Sequence, residues 1–129
     1  MPQLNYETTL VHLFFDRVAA SRDKPALLVK REGEFQSLSW NDIAQDVRRY
    51  VAALCYFGLK PGDRVIQLSE NRYEWIIADL AIMTARGVHV PVHAPLSGSQ
   101  VAVQIRDSGA KIVLSSNKEQ AAKLASAAQ

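Results

Sequence analysis

Two histidines four residues apart are the first candidates for chemistry, because imidazole is both a common metal ligand and a general base near neutral pH. His89 and His93 lie in the stretch VHVPVH. If this stretch is an extended strand, the two rings lie ~13 Å apart along it, because each residue advances the chain by about 3.3 Å. A single ion cannot be shared over that distance, so the spacing argues against a metal site.

His93 keeps a second possible role, because it would follow the C-terminal end of a parallel strand, where open α/β sheets bind ligands. Ser97, Ser99 and Asp107 could complete a nucleophilic triad with it. No G-x-S-x-G motif surrounds either serine, and helix capping explains both with fewer assumptions. A solvated loop histidine and two capping serines are the simpler interpretation.

The remaining reactive or ring-bearing side chains favour structural roles. The only cysteine, Cys55, lies in the apolar run VAALCYFG, which predicts a buried structural thiol, and one cysteine cannot form an internal disulfide. The aromatic residues near predicted helix ends are expected to anchor packing rather than to stack on a ligand. They are Trp40, Phe57, Tyr73 and Trp75.

The sequence has no recognisable phosphate-binding loop, since neither the Walker A pattern nor G-x-G-x-x-G occurs in it. The stretch GLKPGDR contains two glycines, but Pro61 and Asp63 predict a tight turn, and the carboxylate of Asp63 would repel a phosphate. Asp79 and Arg86 are expected to face a polar seam. We therefore assign no catalytic, cofactor-binding or metal-binding residue.

Composition is that of an ordinary globular chain: 129 residues, 48% hydrophobic, with a net charge of +2. No basic run gathers that charge, which argues against a nucleic-acid partner. The N-terminal residues lack a signal-peptide pattern, and no apolar stretch reaches the length of a membrane span. The simplest expectation is a cytoplasmic protein with one core.

The elements that would position these residues begin with a helix from Thr9 to Ala20 and a hairpin of strands 26–31 and 34–38 around Gly33. Ser39 and Asp42 predict the start of a second helix that Gly58 closes. From Arg64 onward the pattern is strand, helix, strand, helix, strand, helix. That order predicts an α/β fold with a partly doubly wound parallel sheet and flanking helices, preceded by the hairpin.

The helix from Tyr73 to Ala85, which Asn71 could cap, has apolar residues nearly all the way round. Such a helix is usually buried on more than one side. Its apolar residues include Trp75, Ile76, Ile77, Leu80, Ile82 and Met83.

Five motifs in register make the chain resemble the N-terminal part of the adenylate-forming acyl-CoA synthetases, closest to the long-chain fatty-acid ligases. The resemblance runs from about Thr9 to Ser116. The motifs are Ser39-Trp40 at a helix start, GLKPGDRV, Asn71 with Glu74 and Trp75, the strand from Gly87 to Pro91, and DSGAK.

This resemblance implies a function for a full-length enzyme: it would join a fatty acid to ATP, release pyrophosphate, and pass the acyl group to coenzyme A. ATP, Mg²⁺ and coenzyme A would be its cofactors and substrates. The family's Ser/Thr/Gly-rich loop, its ribose-binding acid and its C-terminal lysine have no counterpart in these residues. Residues 1–129 are therefore expected to form one layer of the large domain, without a complete catalytic domain and inactive alone.

A stand-alone α/β interaction module built from the same layer is the alternative. In the first hypothesis the partner is the remainder of the enzyme, and an exposed apolar patch could drive self-association. The resemblance also leaves open a peripheral position at the membrane for the full-length enzyme. Acyl chain length and oligomeric state are not encoded in any motif found here.

Overall fold

A computed structural model of the chain describes residues 8–127. These residues form two compact units, whose boundary falls between Arg49 and Tyr50 within one helix. In the part described, no helix is both long enough and apolar enough to cross a bilayer.

The first unit contains a helix and a hairpin. Helix α1 spans Leu10–Ser21, and the side chain of Thr9 caps it by accepting a hydrogen bond from the backbone N–H of His12. Strands β1 (Pro25–Arg31) and β2 (Glu34–Ser39) pair antiparallel. At the turn Glu32 has φ 51° and Gly33 has φ 88°, as expected for a two-residue hairpin turn with two positive φ angles.

Helix α2 spans Trp40–Tyr56 and crosses the boundary between the units. Its start is fixed by a reciprocal pair: the Asp42 carboxylate accepts from the N–H and hydroxyl of Ser39, whose hydroxyl oxygen accepts from the N–H of Asp42. Its end is followed by Gly58 at φ 88°. The predicted start and the closing glycine are both confirmed.

The second unit continues with three strands and three helices, and a short 3₁₀ helix ends it. The bounds are β3 (Arg64–Leu68), α3 (Tyr73–Thr84), β4 (Val88–Val92), α4 (Gly98–Ser108), β5 (Ile112–Ser115), α5 (Lys118–Ala122) and the 3₁₀ helix (Lys123–Ala127). The strands form a parallel sheet in the order β4-β3-β5. This confirms the predicted fold class.

Alternation along the strands gives the sheet two different faces. Ile66 and Leu68 of β3 are fully buried and pack with Val92 of β4 and Val101 of α4. On the opposite face the side chain of Gln67 donates to a carbonyl of α3. Helices therefore cover both faces of the sheet. The buried residues of α3 form one stripe, Ile77, Ala78, Ala81 and Ile82, and Ile76 is 40% exposed, so this helix is not buried on more than one side as its composition predicted.

Three local predictions are wrong. Asn71 does not cap α3, because the N-cap residue is Arg72 and no side-chain bond is made there. Cys55 is exposed rather than buried. Phe57 is also exposed, so it does not anchor packing in this chain. The buried stripe of α2 passes through Leu54, and the next residue of a helix points about 100° away from it.

Candidate functional site

Two family-like motifs meet where the three parallel strands begin. Asp63, in GLKPGDRV, is buried, accepts from the backbone N–H of Lys60 at 2.9 Å, and lies 2.8 Å from the ammonium of Lys111 in DSGAK. The Lys111 ammonium, then the N–H of Lys60, lower the pKa of Asp63 below its ordinary value. Asp63 thus holds two turns together; the sequence predicted the tight turn but not the link to Lys111.

Arg64 makes the second link between the same motifs. Its guanidinium donates to the carbonyl oxygens of Ser108 at 2.7 Å, Gly62 at 3.2 Å and Gly109 at 3.2 Å. Gly109 closes α4 at φ 61°, and a Cβ there would lie 2.9 Å from the guanidinium. Only glycine meets both requirements at this position without strain.

A buried polar seam runs between α3 and β4. Nδ1 of His89 lies 2.7 Å from the carboxylate of Asp79, and its ring contacts the Trp75 ring edge-on at 5.2 Å. The His89 side chain is only 7% exposed, and its Nε2 is buried without a partner in the part of the chain that the structure describes. Because a carboxylate accepts, Nδ1 is the donor in this pair.

A second polar cluster lies where the strands end. Glu70, just after β3, accepts from the hydroxyl of Ser116 and from the side-chain amide of Gln120 at 2.6 Å. These hydrogen bonds, of which the one from Ser116 has the largest effect, lower the pKa of Glu70 to about 2. The cluster ties the end of β3 to the end of β5 and to α5.

Two hollows open at this C-terminal edge of the sheet, the place where α/β sheets usually bind ligands. The first has a volume of about 490 Å³, is mostly apolar, and is lined by Ser69, Glu70, Asn71, Trp75, Pro91, Val92, His93, Ala94 and Pro95. The second, of about 410 Å³, is more polar and includes Tyr50, Gln67, Arg72, Glu74 and Ser116.

Neither hollow is built to hold a triphosphate. The first has no lysine or arginine in its lining and contains the ionised Glu70. In the second, Arg72 already donates to Glu74 at 2.7 Å and to the carbonyl of Ser116. The residues present therefore do not fit ATP with Mg²⁺, and within residues 8–127 no three His, Cys, Asp or Glu side chains form a group that could bind a metal ion.

The structure separates the candidates of the triad. His93 lies in the first hollow. Ser97 caps α4 in a capping box with Gln100, and its hydroxyl lies 3.0 Å from that of Ser99. Asp107 stands in the last turn of the same helix, ~15 Å from Ser97 at about 1.5 Å per residue. These residues do not form a nucleophilic site.

Sequence reasoning missed the Glu70 cluster. Its partners lie 46 and 50 residues away along the chain, so no local pattern could indicate them. The only available signal was the placement of Glu70 and Ser116 after the ends of two strands that the fold makes parallel.

Replacing Glu70 by glutamine should flatten the dependence of stability on acid pH. The folded-state pKa is lowered from 4.5 to about 2, so the carboxylate stabilises the fold above its unfolded pKa. This stability is lost as pH falls toward the folded value. Thermal midpoints of the wild type and Glu70→Gln should therefore differ near neutral pH and converge at acid pH. Ser116→Ala should reduce the same slope, and parallel profiles would contradict the assignment.

Known proteins are similar to this chain over most of its length. A family model described as AMP-binding enzyme matches residues 14–129. Long-chain-fatty-acid–CoA ligase FadD15 of Mycobacterium bovis is 30% identical over 118 residues, which are 85% of this chain and 20% of that protein. The chain thus spans about a fifth of the length of this relative.

A shorter protein and a solved structure are also similar to this chain. The uncharacterized protein Rv1549 of Mycobacterium tuberculosis is 29% identical over 100 residues, which cover 78% of this chain and 57% of that protein. A fatty acyl-adenylate ligase of L. pneumophila, solved with acyl adenylate and pyrophosphate, shares the fold with a TM-score of 0.77 at 24% identity. The match covers 90% of this chain and 21% of that one.

Proposed function

Because the chain belongs to the AMP-binding enzyme family, we propose that it forms the N-terminal part of an ATP-dependent long-chain fatty-acid–CoA ligase. In the full-length enzyme a fatty acid would react with ATP to give an acyl-adenylate and pyrophosphate. The acyl group would then pass to the thiol of coenzyme A. The family membership rests on the match over residues 14–129, and the fatty-acid substrate is suggested by the name of the ligase relative.

The contribution of these residues would be architectural. The observation that carries this view is the link between GLKPGDRV and DSGAK, in which Asp63 meets Lys111 and Arg64 meets the carbonyls of Ser108 and Gly109. These two motifs are thus committed to fixing the start of the parallel sheet, and their bonded side chains, Asp63, Arg64 and Lys111, are not available to bind ATP.

We propose that the phosphate-binding loop, the ribose-binding acid and the mobile lysine act from other parts of the enzyme. ATP, Mg²⁺ and coenzyme A would bind there, and the remainder of the enzyme would be the partner of this layer. Apolar side chains that are exposed here, such as Leu28 and Phe35 on the hairpin, would then be covered by that remainder. In the isolated 129-residue chain, where nothing covers them, the same side chains would drive self-association. A cytoplasmic location for the full-length enzyme belongs to the same proposal.

A stand-alone interaction module is the second candidate function. It is favoured by the relative Rv1549, of which the chain covers 57%. That protein is much shorter than the ligase, of which a similar stretch is only 20%. In this hypothesis the layer works without adenylation chemistry, and binding partners replace substrates.

Purified 129-residue chain should give no ATP–pyrophosphate exchange with any fatty acid, because neither hollow offers groups for a triphosphate. The assay measures incorporation of labelled pyrophosphate into ATP over a series of chain lengths. The mycobacterial long-chain ligase serves as positive control. Exchange above background by the chain alone would contradict the architectural role.

The native size of the gene product separates the two candidate functions. An antibody raised against the chain should detect, in cells that express it, a band several times heavier than 14.3 kDa if it is one layer of a ligase. A band at the mass of the chain itself would favour the interaction module. Exchange activity of the heavier product, measured over the same fatty acids, then tests the substrate.

A further inference from the structure

The second hollow contains a buried amide with an unused hydrogen-bonding atom. Gln67, in the central strand β3, is 3% exposed and forms part of the lining of this hollow of about 410 Å³. Its Nε2 donates to the carbonyl oxygen of Trp75 at 3.4 Å, and its Oε1 is buried without a partner in the part of the chain that the structure describes. A buried acceptor of this kind lowers stability unless a donor reaches it.

Gln67 differs from the other buried side chains that lack a partner atom. Among residues 8–127 these are His89, at Nε2, and Gln120, at Oε1. Neither residue lies in the lining of the two hollows described above. Gln67 is therefore the position at which a molecule from solution could supply the missing donor.

The charged groups around the second hollow neutralise each other. Arg72 donates to the carboxylate of Glu74 at 2.7 Å and to the carbonyl oxygen of Ser116 at 3.3 Å. The other residues that line this hollow carry no charge at neutral pH. An ionic ligand would lose its hydration without gaining an unpaired counter-charge, so a neutral molecule fits the hollow better.

The rest of the lining combines apolar surface with hydroxyl groups. Ala78 of α3 and Val113 and Leu114 of β5 supply the apolar surface, and Ser69 and Ser115 supply the hydroxyls. Ligand pockets in proteins typically pair apolar walls with a few polar groups that fix the orientation of the ligand. At about 410 Å³ the hollow has room for a molecule with one ring and one polar group.

We propose that this hollow binds a small neutral molecule that carries a primary carboxamide on a flat apolar group. The N–H of such a carboxamide would donate to Oε1 of Gln67, and its oxygen would accept from the second N–H of Nε2. The apolar group would lie against Ala78 and Leu114. A carboxylate has no N–H to give to Oε1, and an ammonium would meet a Glu74 that is already paired with Arg72. This inference does not depend on the proposed ligase function.

Benzamide is the probe that tests the proposal, with benzoate as the matched control ligand. Titration of benzamide into the isotope-labelled 129-residue chain should give saturable NMR shift changes. They should appear at the Gln67 side-chain amide and at the backbone amides of Leu114 and Ser115. A ligand of this size should have a Kd in the millimolar range. Benzoate should bind about tenfold more weakly or less, because its carboxylate would face Oε1 of Gln67.

Gln67→Leu tests the amide itself. The variant removes both hydrogen-bonding groups and should weaken benzamide binding about tenfold or more. The fold should survive, because the change removes a buried acceptor without a partner and only one long hydrogen bond. Thermal unfolding checks this point. Gln36→Leu is the matched control, because Gln36 is exposed on β2 and lies outside the hollow, and it should leave binding unchanged.

Several results would overturn the proposal. They are the absence of saturable shift changes well above millimolar benzamide, equal affinity for benzoate, and undiminished benzamide binding by Gln67→Leu. Shift changes centred on Trp75 and His93 would place the ligand in the first hollow instead and would also overturn it. The comparison of benzamide with benzoate needs only the wild-type chain, so the proposal can fail even if Gln67→Leu does not fold.

Discussion

Ile66→Ala should lower the free energy of unfolding by about 2–5 kcal/mol, a large change for a single residue. Ile66 lies in the middle of the central strand β3, is fully buried, and packs against Val92 and Val101 in the core cluster. Truncation to alanine removes three carbon atoms from a tightly packed core. The surrounding side chains cannot fill the space without moving the sheet.

Urea unfolding measures this effect, with Trp75 fluorescence as the probe in a Trp40→Phe background so that only the second unit is followed. Val103→Ala on α4 is the control, because Val103 is 53% exposed and its truncation leaves no cavity. The control should change the free energy by less than about 0.5 kcal/mol. Similar losses in both variants would show that the α4 face of the sheet is not the core.

Asp79→Ala should lower the free energy of unfolding by about 1–3 kcal/mol, because it leaves the buried Nδ1–H of His89 without an acceptor. Nε2 of His89 already lacks a partner among the described residues. Both nitrogens of a nearly inaccessible ring would then be unsatisfied. His89→Leu in the Asp79→Ala background removes these groups and should recover much of the lost stability, since an apolar pair needs no hydrogen bonds.

A double-mutant cycle that adds the single variant His89→Leu to these two should therefore give a coupling energy of about 0.5–3 kcal/mol between Asp79 and His89. The exposed pair of Asp46 and Arg49, at 3.1 Å in α2, supplies the comparison. Arg49→Ala should lower the free energy of unfolding by no more than about 0.5 kcal/mol. Exposed ion pairs stabilise a fold only slightly, because water solvates the separated charges almost as well. A coupling near zero for Asp79 and His89 would mean that the seam does not stabilise the fold.

Local signals predicted most of the secondary structure. The start of α2 follows from Ser39 and Asp42, and the hairpin turn from Gly33. For α4 the sequence offered both Ser97 and Ser99 as caps, and the structure has Ser97 at the N-cap and Ser99 inside the helix. Each depends on residues that are at most three positions apart. The order of elements from Arg64 onward was then enough to predict the parallel sheet, because strands separated by helices rarely pair in another way.

The features that the sequence could not predict depend on contacts between residues far apart in the chain, or on which face of a helix is buried. Glu70 finds its partners 46 and 50 residues later, after two crossovers. Cys55 stands in an apolar run, but it is exposed because only one stripe of α2 is buried. Asp79 and Arg86 were both expected at a polar seam; Asp79 lies there, whereas Arg86 is exposed beyond the end of α3 at φ 63°. The partner of Asp79, His89, could be identified only once α3 lay on β4.

The order β4-β3-β5 also affects how the sheet can form during synthesis. β3 is the first strand of this parallel sheet to be made, yet it becomes the central one, because Val65 aligns with His89 on one side and with Ile112 on the other. Until the chain reaches β5, one edge of its most buried strand has no hydrogen-bonding partner. Contacts so far apart in sequence require long loops to close first, which slows folding. A ribosome that pauses before Ile112 would therefore present an open, apolar strand edge to the chaperones around it.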